Sequence, residues 1–467
     1  MKKIILACSW IVLMTVSACS DWVDVSPKTD VKTEDLFTSE AGFKSALIGI
    51  YGRMTDLSLY GGDMTFNFME KLVQRYDNNK DSEEIRAKIY DYKNQADPKG
   101  KLASIWSNMY KDIANINNLL TFLESNGKYI QTEGYWEMIK GEALGLRAFH
   151  YFDLLRMWGP IYSQDSTAKA VPFRSEFNSD KIAPMAANKL AHKILDDLRE
   201  AEKLLVNDKM DYGYKFDEPF VGERGYRMNK YAVKALMARV YLWMDNKTMA
   251  ATYARDVINN CGLKLVRDNQ KDVAMHDETL FGLSMYNMSE KLNSYWKSVL
   301  PFNQELWISD NNRMTVFESM TCGINDIRYK NGFGFIHGDN QNMCRKYLGE
   351  DVYYDENIPL IRLSEMYYIL AESVSLEESV EYINKVRNTR GISRTYDLVY
   401  SNSFTDEVRK EALLKEYQKD FFAEGQFFYF LKRHNCETFY RCPVAKMVYY
   451  VFPIPDDEVE FGTMTDE

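Results

Sequence analysis

NKYAVKALMARVYLWM, residues 229–244, is followed after a short break by AATYARDVI, residues 250–258. Asn229 fits an N-cap, whose side-chain oxygen accepts from the first-turn amides. Ala232, Ala235 and Ala238 recur every three residues and lay a strip of small side chains along one helix face, where a second helix can approach closely. The companion begins almost at once. The pair therefore reads as two helices packed side by side.

The same pattern extends outward in both directions. TSEAGFKSALIGIYGRM (38–54) opens on a Ser/Thr cap signal, with Phe43, Leu47 and Ile50 at helical spacing. LASIWSNMYKDIANINNLLTFLE (102–124) carries Ile105, Met109, Ile113, Ile116 and Leu120 as one amphipathic stripe. WEMIKGEALGLRAFHYFDLLRMWGP (136–160) is apolar almost all round, which predicts a helix enclosed by its neighbours and ended by Gly159-Pro160. Trp106, Trp136 and Trp158 fall on these periodic helices and read as scaffold. His150, Asp153 and Arg156 share one face and read as polar groups that satisfy one another, not as a catalytic cluster. Further helices are expected within 185–205, 359–373, 376–391 and 405–425. Small residues and tyrosines in helix hairpins resemble tetratricopeptide repeats, although no strict 34-residue period is present.

One long stretch, about 261–355, lacks this periodicity. It holds Tyr286, Tyr295, Trp296, Trp307 and Tyr329 among Asn, Gly and Ser, including WISDNNRM (307–314) and KNGFGFIHGDNQN (330–342). Long irregular segments in compact domains tend to carry function.

At the start of the chain, Lys2 and Lys3 precede an apolar run from Ile4 to Ala18, too short to span a hydrocarbon core of ~30 Å. Val16-Ser17-Ala18-Cys19 resembles a bacterial lipobox, in which the cysteine becomes the acylated first residue. Residues 1–18 are thus expected to be a signal peptide and 19–40 a lipid-anchored tether. Residues 41–467 are long enough for several cores or for one large α-rich domain that includes the loop-rich insertion. The formal charge of -10 disfavours nucleic acid and anionic lipid as partners. Beyond Cys8 and Cys19 the chain has Cys261, Cys322, Cys344, Cys436 and Cys442, and their spacing leaves disulfides and free thiols equally open. Five scattered histidines and no Cys-x-x-Cys pair give a zinc site little support. DNQN and DSEE offer oxygen ligands without an EF-hand pattern, so no metal or cofactor is expected.

Taken in order, these fragments resemble the SusD/RagB family of outer-membrane nutrient-binding lipoproteins over nearly the whole length. The resemblance runs from CSDWVDVSPKT and EDLFTSEAGFKSALIGIYGRM through IWSNMYKDIANINNLL, GEALGLRAFHYFDLLRMWGPI, RMNKYAVKALMARVYLWM, IPLIRLSEMYYILAES and VEYINKVRNTRGI to VFPIPDDEV. One departure stands out. Where the family commonly has Arg and Asp after Glu-Gly, this chain has Phe427 and Phe430 after Glu424-Gly425, an apolar pair that can replace an ion pair with little loss.

The resemblance implies a predominantly α fold, with tetratricopeptide-like helix pairs as scaffold and a loop-rich, minor-β ligand region. It further implies a lipoprotein on the cell exterior that hands oligosaccharide, or in some members peptide, to a SusC-type TonB-dependent transporter. Asp21 and Asp24 after the lipid cysteine are similar to surface-display signals.

A saccharide site needs flat aromatic faces for C–H surface and amide or charged groups for hydroxyls. The candidates are Tyr286, Tyr295, Trp296, Trp307, Asn311 and Arg313 in the insertion, with Tyr90, Tyr92 and Asn94 ahead of the second helix. H-E-x-x-H, G-x-S-x-G and Walker signatures are missing, so binding without turnover is the expectation, with a pure protein-interaction module as the alternative.

Overall fold

A computed structural model describes residues 33–77, 90–93, 96–210, 219–267, 272–296, 306–338, 341–348, 356–442 and 449–463. The leader, Cys19 and Asn94 lie outside the described residues.

Ten helices form the frame: α1 Glu40–Met54, α2 Ala96–Asn126, α3 Tyr135–Trp158, α4 Ala187–Leu204, α5 Lys230–Trp243, α6 Lys247–Asn260, α7 Leu363–Ser373, α8 Leu376–Thr389, α9 Asp406–Asp420 and α10 Gln426–Arg433. Each packs against the next along the chain. The result is a stack of helix pairs, and α5 with α6 is the pair expected from the alanine strip. Asn229 caps α5 by accepting from the amides of Tyr231 and Ala232, and Ala232, Ala235 and Ala238 are fully buried. Ser39 caps α1 in the same way through Gly42.

Helix α3 is enclosed, as its composition requires: Leu144, Phe149, Phe152, Leu155 and Trp158 are all buried. Gly145 allows the tightest of these approaches, since a Cβ there would come within 2.5 Å of Met228. The polar groups of α3 are paired inside the protein. Glu142 accepts from Tyr51 Oη at 2.6 Å, Arg224 at 2.7 Å and Arg227 at 2.8 Å. Burial would raise its pKa, but the two guanidiniums outweigh this and hold it below the usual range. Arg156 pairs with Asp153, which also accepts from Tyr60 Oη, and His150 lies 3.4 Å from Asp112. These three residues are structural.

Among the described residues, strands occur as three antiparallel pairs: β1 Lys169–Pro172 with β2 Pro184–Ala186, β3 Thr279–Ser284 with β6 Asn357–Arg362, and the hairpin β4 Phe335–Gly338 with β5 Gln341–Cys344. Within 261–355 the described residues also form two short helices, Met288–Trp296 and Asp310–Val316. The first departs from the irregular reading of this stretch. Met288, Leu292 and Trp296 stand at i, i+4 and i+8, and all three are buried. The five described cysteines are free thiols.

At the substituted family position, Phe427 and Phe430 are buried 6.5 Å apart with nearly parallel rings. Phe427 lies under the Arg75 guanidinium and Phe430 against Tyr417. Gly425 just before them sits at φ 70°, and a Cβ would meet the Met64 carbonyl at 2.2 Å, so the turn requires glycine.

Candidate functional site

Three segments far apart in sequence meet at Asp77. Its amide donates to the Trp307 carbonyl at 2.8 Å, and its carboxylate accepts from the Ser309 amide at 2.6 Å and Asn312 Nδ2 at 2.5 Å. Arg441 closes the cluster with an ion pair to Asp77 at 2.6 Å and a bond to the Gln74 carbonyl. Tyr440 Oη donates to Asn312 Oδ1 at 2.8 Å.

The hairpin extends this cluster. Ile308 and Asn342 exchange backbone hydrogen bonds, so residues 306–309 run as an edge beside β5. Ser309 then caps the helix Asp310–Val316. Asn342 Nδ2 donates to Asp310, and His337 lies 2.9 Å from Asn342 Oδ1 and 3.5 Å from Asp310. Exposed or half-buried on this surface are Trp307, Asp310, Asn311, Asn312, His337 and Tyr440. The arrangement presents an indole, a phenol, amides, a carboxylate and an imidazole, with Asp310, Asn312, His337 and Tyr440 held by neighbours. It is suited to hydrogen bonding and stacking on a polar ligand with flat apolar faces.

The expected residues divide into three groups. Trp307 and Asn311 stand on this face. Arg313 lies beneath it, 5 % exposed, with its guanidinium 4.6 Å from the Tyr329 ring centre and bonded to Asn331 at 2.5 Å. Burial draws its pKa below the usual arginine value. It supports the face rather than presenting a charge to it.

Trp296 is 1 % exposed and packs with Phe66, Tyr76 and Tyr347. Tyr295 is half-buried against Phe66. Tyr90 and Tyr92 are buried too: Tyr90 stacks on Tyr449 and donates to the Leu72 carbonyl, and Tyr92 meets Phe452 edge-on. Trp296, Tyr90 and Tyr92 are therefore core, a correction whose cause is long-range packing. Tyr286 is 74 % exposed after β3, and the described contacts do not join it to the cluster.

Asp77, Tyr440 and Arg441 were not anticipated. Asp310, Asn312, His337 and Asn342 lie inside the two quoted loop stretches, but nothing local distinguished them from their neighbours.

A buried charge network fastens this region to the frame. Asp420 of α9 accepts from Arg390 at 3.0 Å, Arg328 at 3.1 Å and Arg362 at 3.2 Å. Glu278, just before β3, pairs with Arg390 and Arg362. Glu424 pairs with Arg362 and with Lys346, just after β5. Burial would raise the pKa of Asp420, yet the three guanidiniums hold it well below the carboxylate range. By the same balance Lys419, Arg328 and Arg387 hold Glu416 at about 2. Four loop segments are thereby tied to α8 and α9.

A separate groove of about 700 Å³ lies between α2, the 172–181 loop and residues 455–463. Two of its aromatic groups are engaged elsewhere, Trp106 packing edge-on against Trp158 and Tyr110 donating to the Pro172 carbonyl, while Phe461 stands exposed at its rim. The Asp77 cluster is the better candidate.

These features define an α-helical protein whose stacked helix pairs carry a polar and aromatic face built from loops. A family model described as "Starch-binding associating with outer membrane" matches residues 21–242, and one described as "SusD family" matches 349–457. The chain belongs to the SusD/RagB family. It is similar to the SusD-like protein P38 of Formosa agariphila, 22 % identical with 91 % of this chain and 89 % of the relative covered. A SusD superfamily protein from Bacteroides thetaiotaomicron has a similar fold, with TM-score 0.70, 22 % identity, and 91 % and 98 % of the two chains covered. So has a structure titled a laminarin-binding SusD-like protein, with TM-score 0.67, 18 % identity, and 92 % and 99 % covered. Among the described residues no helix is long and apolar enough to cross a membrane.

Proposed function

We propose that this chain captures oligosaccharide at the Asp77 face and delivers it to a SusC-type TonB-dependent transporter. The observation that carries the reading is the convergence of three remote segments on one carboxylate, with Asn311, His337 and Tyr440 exposed and Trp307 half-buried on those segments. An indole covers the C–H face of a sugar ring, and amide, imidazole and phenol groups meet its hydroxyls. The laminarin-binding neighbour supports a glycan ligand for this fold. In this reading the protein binds without turnover. Cys19 carries acyl chains that hold it on the outer leaflet facing the exterior, residues 19–40 act as tether, and 41–467 form one domain.

Binding of the mature domain to an array of plant and host glycans, beside a peptide library, tests the ligand. Retention of one glycan class at unchanged mass supports the proposal. Shortened products overturn the non-catalytic reading, and retention of peptides alone moves the protein to the peptide-importing branch. Cys19→Ala is expected to release the protein from the membrane fraction, and co-purification with the transporter tests delivery.

A further inference from the structure

Away from the ligand face, α3, α5, α7, α9 and α10 enclose a cavity of about 30 Å³, room for one or two species the size of water. Three buried polar atoms of its lining residues have no hydrogen-bond partner: Arg239 Nη1, Trp243 Nε1 and Tyr429 Oη. A guanidinium and an indole N–H can only donate, and a phenol can donate. Leaving each unmade costs about 1–3 kcal/mol, so native structures rarely tolerate three together.

The acceptors nearby are already engaged. The two oxygens of Glu365 take Arg239 Nε and Nη2, and Gln426 Oε1 takes Arg156 Nη1 at 3.0 Å. Arg156, Arg239 and Arg433 are each paired with one carboxylate, those of Asp153, Glu365 and Glu372. The cavity thus has donors without a free acceptor.

We propose that this cavity binds one small monovalent anion of the chloride type, which pins α5 and α10 together. A water molecule fits the space less well, because it must also donate two hydrogens of its own, and of the three unpartnered groups only the Tyr429 phenol can accept one. The site is independent of the ligand face, so loss of glycan binding leaves it standing.

The test is crystallographic, with sodium bromide replacing chloride around the mature protein. An anomalous bromine peak in contact with Trp243 Nε1 is the expected result. Density refining as water without anomalous signal overturns the proposal. In solution the melting temperature should rise with chloride over gluconate at equal ionic strength and saturate, as for a ligand held by the native state alone. Trp243→Phe should shrink that rise several-fold. A melting temperature that follows ionic strength alone, the same in both salts, counts against the site.

Discussion

Helix α3 and the Asp77 face both hold polar groups in place, but by opposite means. In α3 the polar side chains are surrounded by apolar helices and pair with residues that other helices bring up, as Glu142 does with Arg224 and Arg227. At the face the polar groups fix one another across loops and remain partly open to solvent, as Asp77 does with Asn312 and Arg441. Burial makes the first arrangement rigid and sensitive to any lost partner. Exposure makes the second cheaper to alter in stability, while its chemistry stays available to a ligand.

The contrast is sharpest at Asp420. Asp420→Ala strands Arg390, Arg362 and Arg328 without their shared carboxylate, and should cost about 3–5 kcal/mol in urea unfolding. Asp77→Ala, whose partner Arg441 has access to water, should cost less than half as much. Equal losses would erase the distinction.

Strong acid tests the network directly. Asp420 and Glu416 have folded pKa values held below their unfolded values, so their stabilisation is fully present above pH ~5. It is lost as pH falls from there toward about 2, where Glu416 protonates in the folded state. Circular dichroism against pH is expected to show the transition in that window, and Asp420→Asn should weaken its steepness.

Phe430→Ala removes a buried ring packed on Tyr417 and Phe427 and should cost about 3–5 kcal/mol, with ligand affinity unchanged. Trp307→Ala should do the reverse. Its stability should stay within about 1 kcal/mol of the parent, while glycan affinity falls about tenfold or more, about 1.4 kcal/mol by calorimetry.

The smallest effects separate two helix caps. Asn229 is buried, caps α5 and also donates to the Arg224 and Leu280 carbonyls, so Asn229→Ala should cost about 2 kcal/mol. Ser309 makes a single long cap bond of 3.4 Å, and Ser309→Ala should cost about 0.5 kcal/mol. Thermal melts of the two variants measure the difference.

Much of the frame was legible along the chain. The alanine strip of α5, the all-round apolar α3 and the Gly-Pro stop after Trp158 are local patterns, and a helix is made of contacts three and four residues apart. The helix Met288–Trp296 was also legible in its i, i+4, i+8 spacing, but its aromatic and polar composition masked the period. That is why Trp296 looked like a ligand platform and is core. Trp307 and Asn311 lie on the Asp77 face, in a stretch already marked by its aromatic and amide composition. Asp77, Tyr440 and Arg441 could not be found in this way, since nothing in their immediate neighbours marks them.

Helix positions, the enclosed α3 and the family resemblance follow from the order of residues, because periodicity and capping act within a turn or two. Which aromatics are buried and which carboxylate organises the face came only from the folded chain. Asp77 meets Asn312 across 235 positions and Arg441 reaches the Gln74 carbonyl across 367. Contacts of that span arise from the packing of whole helix pairs, so no local pattern encodes them.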